Sequence, residues 1–110
     1  MDNNPERKIK MAERMANELE RFSGDIGDYS NHFQNLITHF GEMVDHMNAL
    51  NNMWEGEAHD EFLKTFSVDK EKTNKMIEDF GKILEELRFA HSEYTQCENS
   101  IAGMIDQMPV

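Results

Sequence analysis

Five histidines, one cysteine and a surplus of carboxylates are the side chains of this 110-residue chain that could bind a metal or move a proton. Their spacing argues against both. His32, His39 and His46 recur at intervals of seven. Residues seven apart on a helix are separated by about 10.5 Å along its axis, so no two of these can reach one metal ion from a single helix. The stripe reads as a solvated face, or as a flank sensitive to pH. His59-Asp60 sets an imidazole beside a carboxylate, but no third ligand follows at helical spacing. His91 flanks an apolar row with no chemical role to distinguish it. Cys97 is alone, so no internal disulfide forms, and it reads as a small buried apolar residue. There is no Gly-rich phosphate loop, no His-Glu-x-x-His, no nucleophile elbow and no inward Glu-x-x-His pair of a di-iron bundle. The expectation is a non-enzyme with no catalytic residue, no metal and no cofactor.

Charge narrows the partners. Twenty-two acids against eleven bases give a formal charge of -11. A nucleic-acid binder needs a basic footprint, which is missing, and an anionic membrane surface repels such a chain. The five bases of the first half all lie between Arg7 and Arg21. From Phe22 to Leu63 there is no Lys or Arg, while Asp25, Asp28, Glu42, Asp45, Glu55, Glu57, Asp60 and Glu61 fall there. No apolar run is long enough to span a bilayer, and Met1-Asp2-Asn3-Asn4-Pro5 has no signal-peptide core.

The elements follow from apolar spacing. Met15, Leu19, Phe22, Ile26, Tyr29, Phe33, Leu36, Phe40, Met43, Met47, Leu50 and Trp54 are separated alternately by four and three residues. That is a heptad seam of helices, and no alternation by two competes with it. Phe62, Phe66, Met76, Phe80, Ile83, Leu87, Ala90, Tyr94, Cys97, Ile101, Met104 and Met108 repeat it, with Asp69 and Thr73 as interruptions where packing should be weakest. A further row runs beside each seam: Ile37 and Val44 in the first half; Leu63, Ile77, Leu84 and Ile105 in the second. The stripe is therefore wider than a two-stranded coiled coil needs, and suits a bundle.

Asn4 can cap the first helix with Pro5 at its first position, and Pro109 ends the second. Trp54-Glu55-Gly56 lies near the midpoint, where the chain must reverse, and acids cluster where the second helix begins. Ser23-Gly24 to Gly27 is a point where the first helix can bend. The fold is expected to be all-α, one antiparallel helix-turn-helix hairpin over 1–110. Helix 1 spans about 5–52, the turn about 53–57 and helix 2 about 58–107. Leu19, Phe22, Ile26, Phe33, Leu36, Phe40, Phe62, Phe66, Phe80, Ile83 and Leu87 make its core and dimer contacts. A lone hairpin covers one side of each helix, so a second hairpin is expected to complete a four-helix bundle.

The Trp54-x-Gly56 turn, extended by Ala58 and Phe62, resembles the small Trp-x-Gly (WXG) family of helical hairpins, early-secreted-antigen-like substrates of bacterial type VII (ESX) secretion. The likeness covers most of the chain. It includes the C-terminal export pattern of a Tyr and an acid four residues on, Tyr94 and Glu98, followed by Ile101 and Ile105. The segment before the turn is longer than is usual in the family. The resemblance implies export without a cleaved signal peptide, folded and as a homodimer or as a heterodimer with a similar hairpin. It also implies a secretion ATPase of the FtsK/SpoIIIE type as partner. The bipartite signal would be Trp54 and Gly56 with Tyr94 and Glu98, and the protein an effector or the escort of a larger secreted toxin. Read without the family, Trp54 and Tyr94 are seam residues, Gly56 is a turn glycine, and the chain is an intracellular coiled-coil adaptor with no export role.

Overall fold

A computed structural model describes residues 5–107. It consists of α1, Pro5–Met53, and α2, Glu57–Asp106. Among the described residues there is no strand, and the fold is an all-α helical hairpin. Pro5 opens α1, where its missing N–H leaves nothing unsatisfied. The expected cap Asn4, the seam residue Met108 and the terminator Pro109 lie outside the described residues.

The reversal is made by Trp54, Glu55 and Gly56. Gly56 has φ +117°, a conformation that a Cβ obstructs. Its carbonyl accepts the Asp60 N–H at 3.1 Å, so the same glycine caps α2. Glu57 and Asp60 stand in the first turn of α2, beside the positive end of its dipole.

Packing between the helices falls into two units. One is Tyr29–Ile83, which holds the turn; the other joins the chain up to Asp28 with the chain from Leu84 onward. In the first, the Tyr29 hydroxyl donates to the Phe80 carbonyl at 3.0 Å. Beside it a Cβ on Gly81 would meet Phe33 Cζ at 3.5 Å, so the backbone of α2 passes close to α1 there. In the second, His91 Nε2 lies 3.1 Å from the Leu19 carbonyl, which makes Nε2 the N–H donor. Phe22 packs on His91 and Tyr94, with ring centroids 5.5 Å and 6.3 Å away. His91, which the sequence alone gives no role, thus ties the two helices together.

Few residues are deeply buried. Ile26, Leu84 and Ile105 are the buried apolar ones, His59 is the buried polar one, and no large side chain is fully enclosed among the described residues. Each helix has one neighbour, so only a narrow strip leaves water. Leu19, Phe22, Phe33, Leu36, Phe40, Phe62, Phe66, Phe80 and Leu87 are half-buried along it.

The expected seam needs two corrections. On α2 the positions Phe66, Thr73, Phe80 and Leu87 hold, but the row paired with them is Lys70, Ile77, Leu84, His91, Glu98 and Ile105. Each lies one residue beyond the expected Asp69, Met76, Ile83, Ala90, Cys97 and Met104. Ile83, expected in the core, is 40% exposed, whereas Leu84 is buried. Cys97, read as buried, is exposed. A stripe wide enough for two seams lets the hairpin close on either, and α2 closes on the edge bearing Leu84 and Ile105. On α1, Met43 and Leu50 are exposed while Val44 and Asn51 are half-buried. The inner row there steps Phe40, Val44, Met47, Asn51, taking two four-residue steps in succession after Leu36. An eleven-residue stretch of 4-4-3 spacing follows a straight helix more closely than a strict heptad does.

Candidate functional site

The turn is an aromatic cluster. The Trp54 ring lies 5.3 Å from His59 and 5.5 Å from Phe62, both tilted against it. Phe62 in turn stacks on Phe66 at 6.1 Å and 6°. Residues 59, 62 and 66 follow three-four spacing, so α2 offers one face to the indole, and the indole folds back across it. His59 is the surprise. Its side chain is 10% exposed, its Nδ1 lies 3.7 Å from the Asp60 carboxylate, and its Nε2 is buried with no hydrogen-bond partner. A buried polar atom left in that state costs about 1–3 kcal/mol. Sequence reading placed His59 beside Asp60 but not beneath Trp54; the three-residue step to Phe62 was the available signal. Met53, next to the indole, is 77% exposed, and Leu50 one turn earlier is also exposed. Around them Glu55, Glu57, Asp60 and Glu61 all face water.

The second part lies where α2 nears its end. Tyr94, Cys97, Glu98 and Ile101 of α2 and Met15, Glu18, Leu19 and Phe22 of α1 line a groove of about 330 Å³. Its floor is apolar, and two carboxylates, Glu18 and Glu98, stand in its wall. Tyr94 is 61% exposed and Glu98 half-buried. Tyr94 and Glu98 are four apart on one helix, so both present to the same side. Of the C-terminal residues expected to act together, Tyr94, Glu98 and Ile101 line this groove. Ile105 instead is 7% exposed and belongs to the core. Trp54 and Gly56 belong to the other unit. Glu18, absent from the sequence-based set, sits beside the seam residue Leu19, the one hint of its place.

The third part is an apolar row left in water. On α2, Met76, Ile83, Cys97 and Met104 fall at seven-residue intervals, with the half-buried Ala90 between Ile83 and Cys97. Met76, Ile83 and Met104 are 43%, 40% and 63% exposed. On α1, Met43 and Leu50 continue the line of Leu36 at the same interval and are exposed. In the unit that holds the turn, Tyr29, His32, Phe33, Leu36 and Phe80 line a further apolar recess of about 150 Å³.

The histidine stripe is open to water, with His32 at the edge of that recess. His32, His39 and His46 are all exposed, and His39 Nδ1 lies 3.6 Å from the Glu42 carboxylate in water. Among the described residues no three His, Cys, Asp or Glu side chains gather into a metal-binding group. No helix of the described chain is long and apolar enough to cross a membrane. Set against known protein families, curated proteins and solved structures, the chain matches none.

Proposed function

We propose that this chain is a small exported hairpin of the Trp-x-Gly kind, carried folded through a bacterial type VII secretion machine as a dimer. The observation that carries the reading is the disposition of the C-terminal pair. Tyr94 is exposed and Glu98 half-buried, and both line an open groove with Phe22 and Ile101. An aromatic ring and a carboxylate held side by side on one helix can be read by packing and charge together. Trp54 and Gly56 form the other half of the signal, and the machine's ATPase is its reader. The protein acts as an effector or as the escort of a larger secreted toxin.

The dimer rests on the apolar row. Met76, Ile83 and Met104 repeat at helical-bundle spacing, and each contributes about 1–2 kcal/mol when covered by a second hairpin.

Replacing Tyr94 or Glu98 with Ala in the producing bacterium tests the export reading. Folded variant retained in the cell pellet, with wild-type protein in the medium, is the expected result. Export of the folded variants at the wild-type level rejects the signal, and native protein confined to the cytoplasm favours the coiled-coil adaptor.

A further inference from the structure

The groove near the end of α2 holds a carboxylate where packing favours an apolar side chain. Glu98 falls on the row of α2 that faces α1, seven residues after His91 and seven before the buried Ile105. His91 meets the demand of its position by bonding to the Leu19 carbonyl at 3.1 Å. Glu98 is half-buried and forms no hydrogen bond or ion pair among the described residues. A partly desolvated carboxylate without a counter-charge costs stability. Glu18 of α1 lines the same groove, likewise without an ion pair. The rest of the lining is Met15, Leu19, Phe22, Tyr94, Cys97 and Ile101, and none of these is a cation. Arg14, one turn before Glu18, lines a separate recess and makes no ion pair with it. The whole groove lies within the unit that joins the chain up to Asp28 with the chain from Leu84 onward.

We infer that this groove receives an arginine or lysine carried on the apolar face of a partner protein's helix. The cation lies beside Glu98 and Glu18, and its stem and apolar neighbours cover Phe22, Tyr94 and Ile101. This rests on the export reading and deepens it: α1 becomes part of the signal, and the chemistry of the reader is named. Long cationic side chains suit the site, because their methylenes cover apolar surface while the head group stays at the carboxylates. Charge complementarity sets the sign. An acidic or purely apolar segment laid over the groove would desolvate Glu98 further and leave it unpaired, which is costly, whereas a cation supplies the missing counter-charge.

The test uses the full chain and synthetic helical peptides that carry Leu, a test residue and Leu at successive turns of one face. The test residue is Arg, Gln or Glu. By fluorescence anisotropy at low salt, the Arg peptide is expected to bind about tenfold more tightly than the Gln peptide, and the Glu peptide not to bind. Glu98→Gln and Glu18→Gln each remove most of that preference, and high salt reduces it. Equal affinity for the Arg and Gln peptides, or no binding of either, overturns the proposal. Stability supplies a readout that separates recognition from structure. Glu98→Leu is expected to raise the midpoint of thermal unfolding while abolishing the preference for Arg; a lowered midpoint means that the carboxylate holds the fold, and overturns the proposal. Sedimentation of Glu18→Lys identifies the occupant. Self-association equal to that of the native chain supports a separate partner, while altered self-association means that a second copy fills the groove. In the producing bacterium, Glu18→Gln should be retained in the cell as Glu98→Gln is. Retention of Glu98→Gln alone overturns the two-helix site and leaves the export reading standing. Export of both at the wild-type level rejects the export reading, and the peptide measurement then judges the groove by itself.

Discussion

His59 and Gly56 are the two residues of the turn whose replacement should move stability in opposite directions. Leu at position 59 keeps the packing on Trp54 and Phe62 and removes the enclosed, unbonded Nε2. His59→Leu is expected to raise unfolding free energy by about 1 kcal/mol in urea titration. A loss would mean that the imidazole makes an interaction that Leu cannot. At Gly56 the expectation reverses, because φ +117° penalises any Cβ even though the space around it is open. Gly56→Ala costs about 1–3 kcal/mol. Gly24→Ala, inside α1 with nothing within 4 Å of the added methyl, should gain about 1 kcal/mol in the same titration. Equal effects at the two glycines would remove the conformational argument. Across the helices, Tyr29→Phe loses the bond to the Phe80 carbonyl and about 1 kcal/mol with it.

The helices were legible in the sequence because two long apolar runs at seven-residue periodicity admit no other regular structure. Their reversal was legible because a glycine stands between them. The phase of α2 was not. Ile83 and Leu84 are adjacent, equally apolar and both within the stripe, and nothing along one chain says which faces α1. The choice is made across the hairpin, where His91 reaches the Leu19 carbonyl and Glu98 lines the groove with Leu19 and Phe22. The burial of His59 was hidden for the same kind of reason, since it depends on where the turn carries the indole. The phase yields a sharp comparison. Leu84→Ala should lower the stability of the hairpin by about 2–3 kcal/mol, and Ile83→Ala by less than about 1 kcal/mol, both measured at micromolar protein. If Ile83→Ala is the more damaging, α2 closes on its other edge.

At the scale of the molecule the tension lies in the surface. A 110-residue chain with one narrow buried strip and no fully enclosed large side chain among its described residues has little margin for stability by itself. Association supplies that margin and makes it dependent on concentration. For a dimer whose chains fold together, a hundredfold increase in protein stabilises the folded state by roughly 2–3 kcal/mol. Divided by the unfolding entropy of two chains of this size, that raises the Tm by about 6 °C. Glutamates at Met76, Ile83 and Met104 are all on the uncovered row and none is in the buried strip. They should leave the helical signal intact at low temperature while removing the dependence on concentration. Calorimetry or circular dichroism across that range distinguishes the cases. A native Tm that stays flat over the hundredfold range means that no second hairpin covers the row. The exposed methionines of α2 would then need a different partner, and export as a dimer would fail with them.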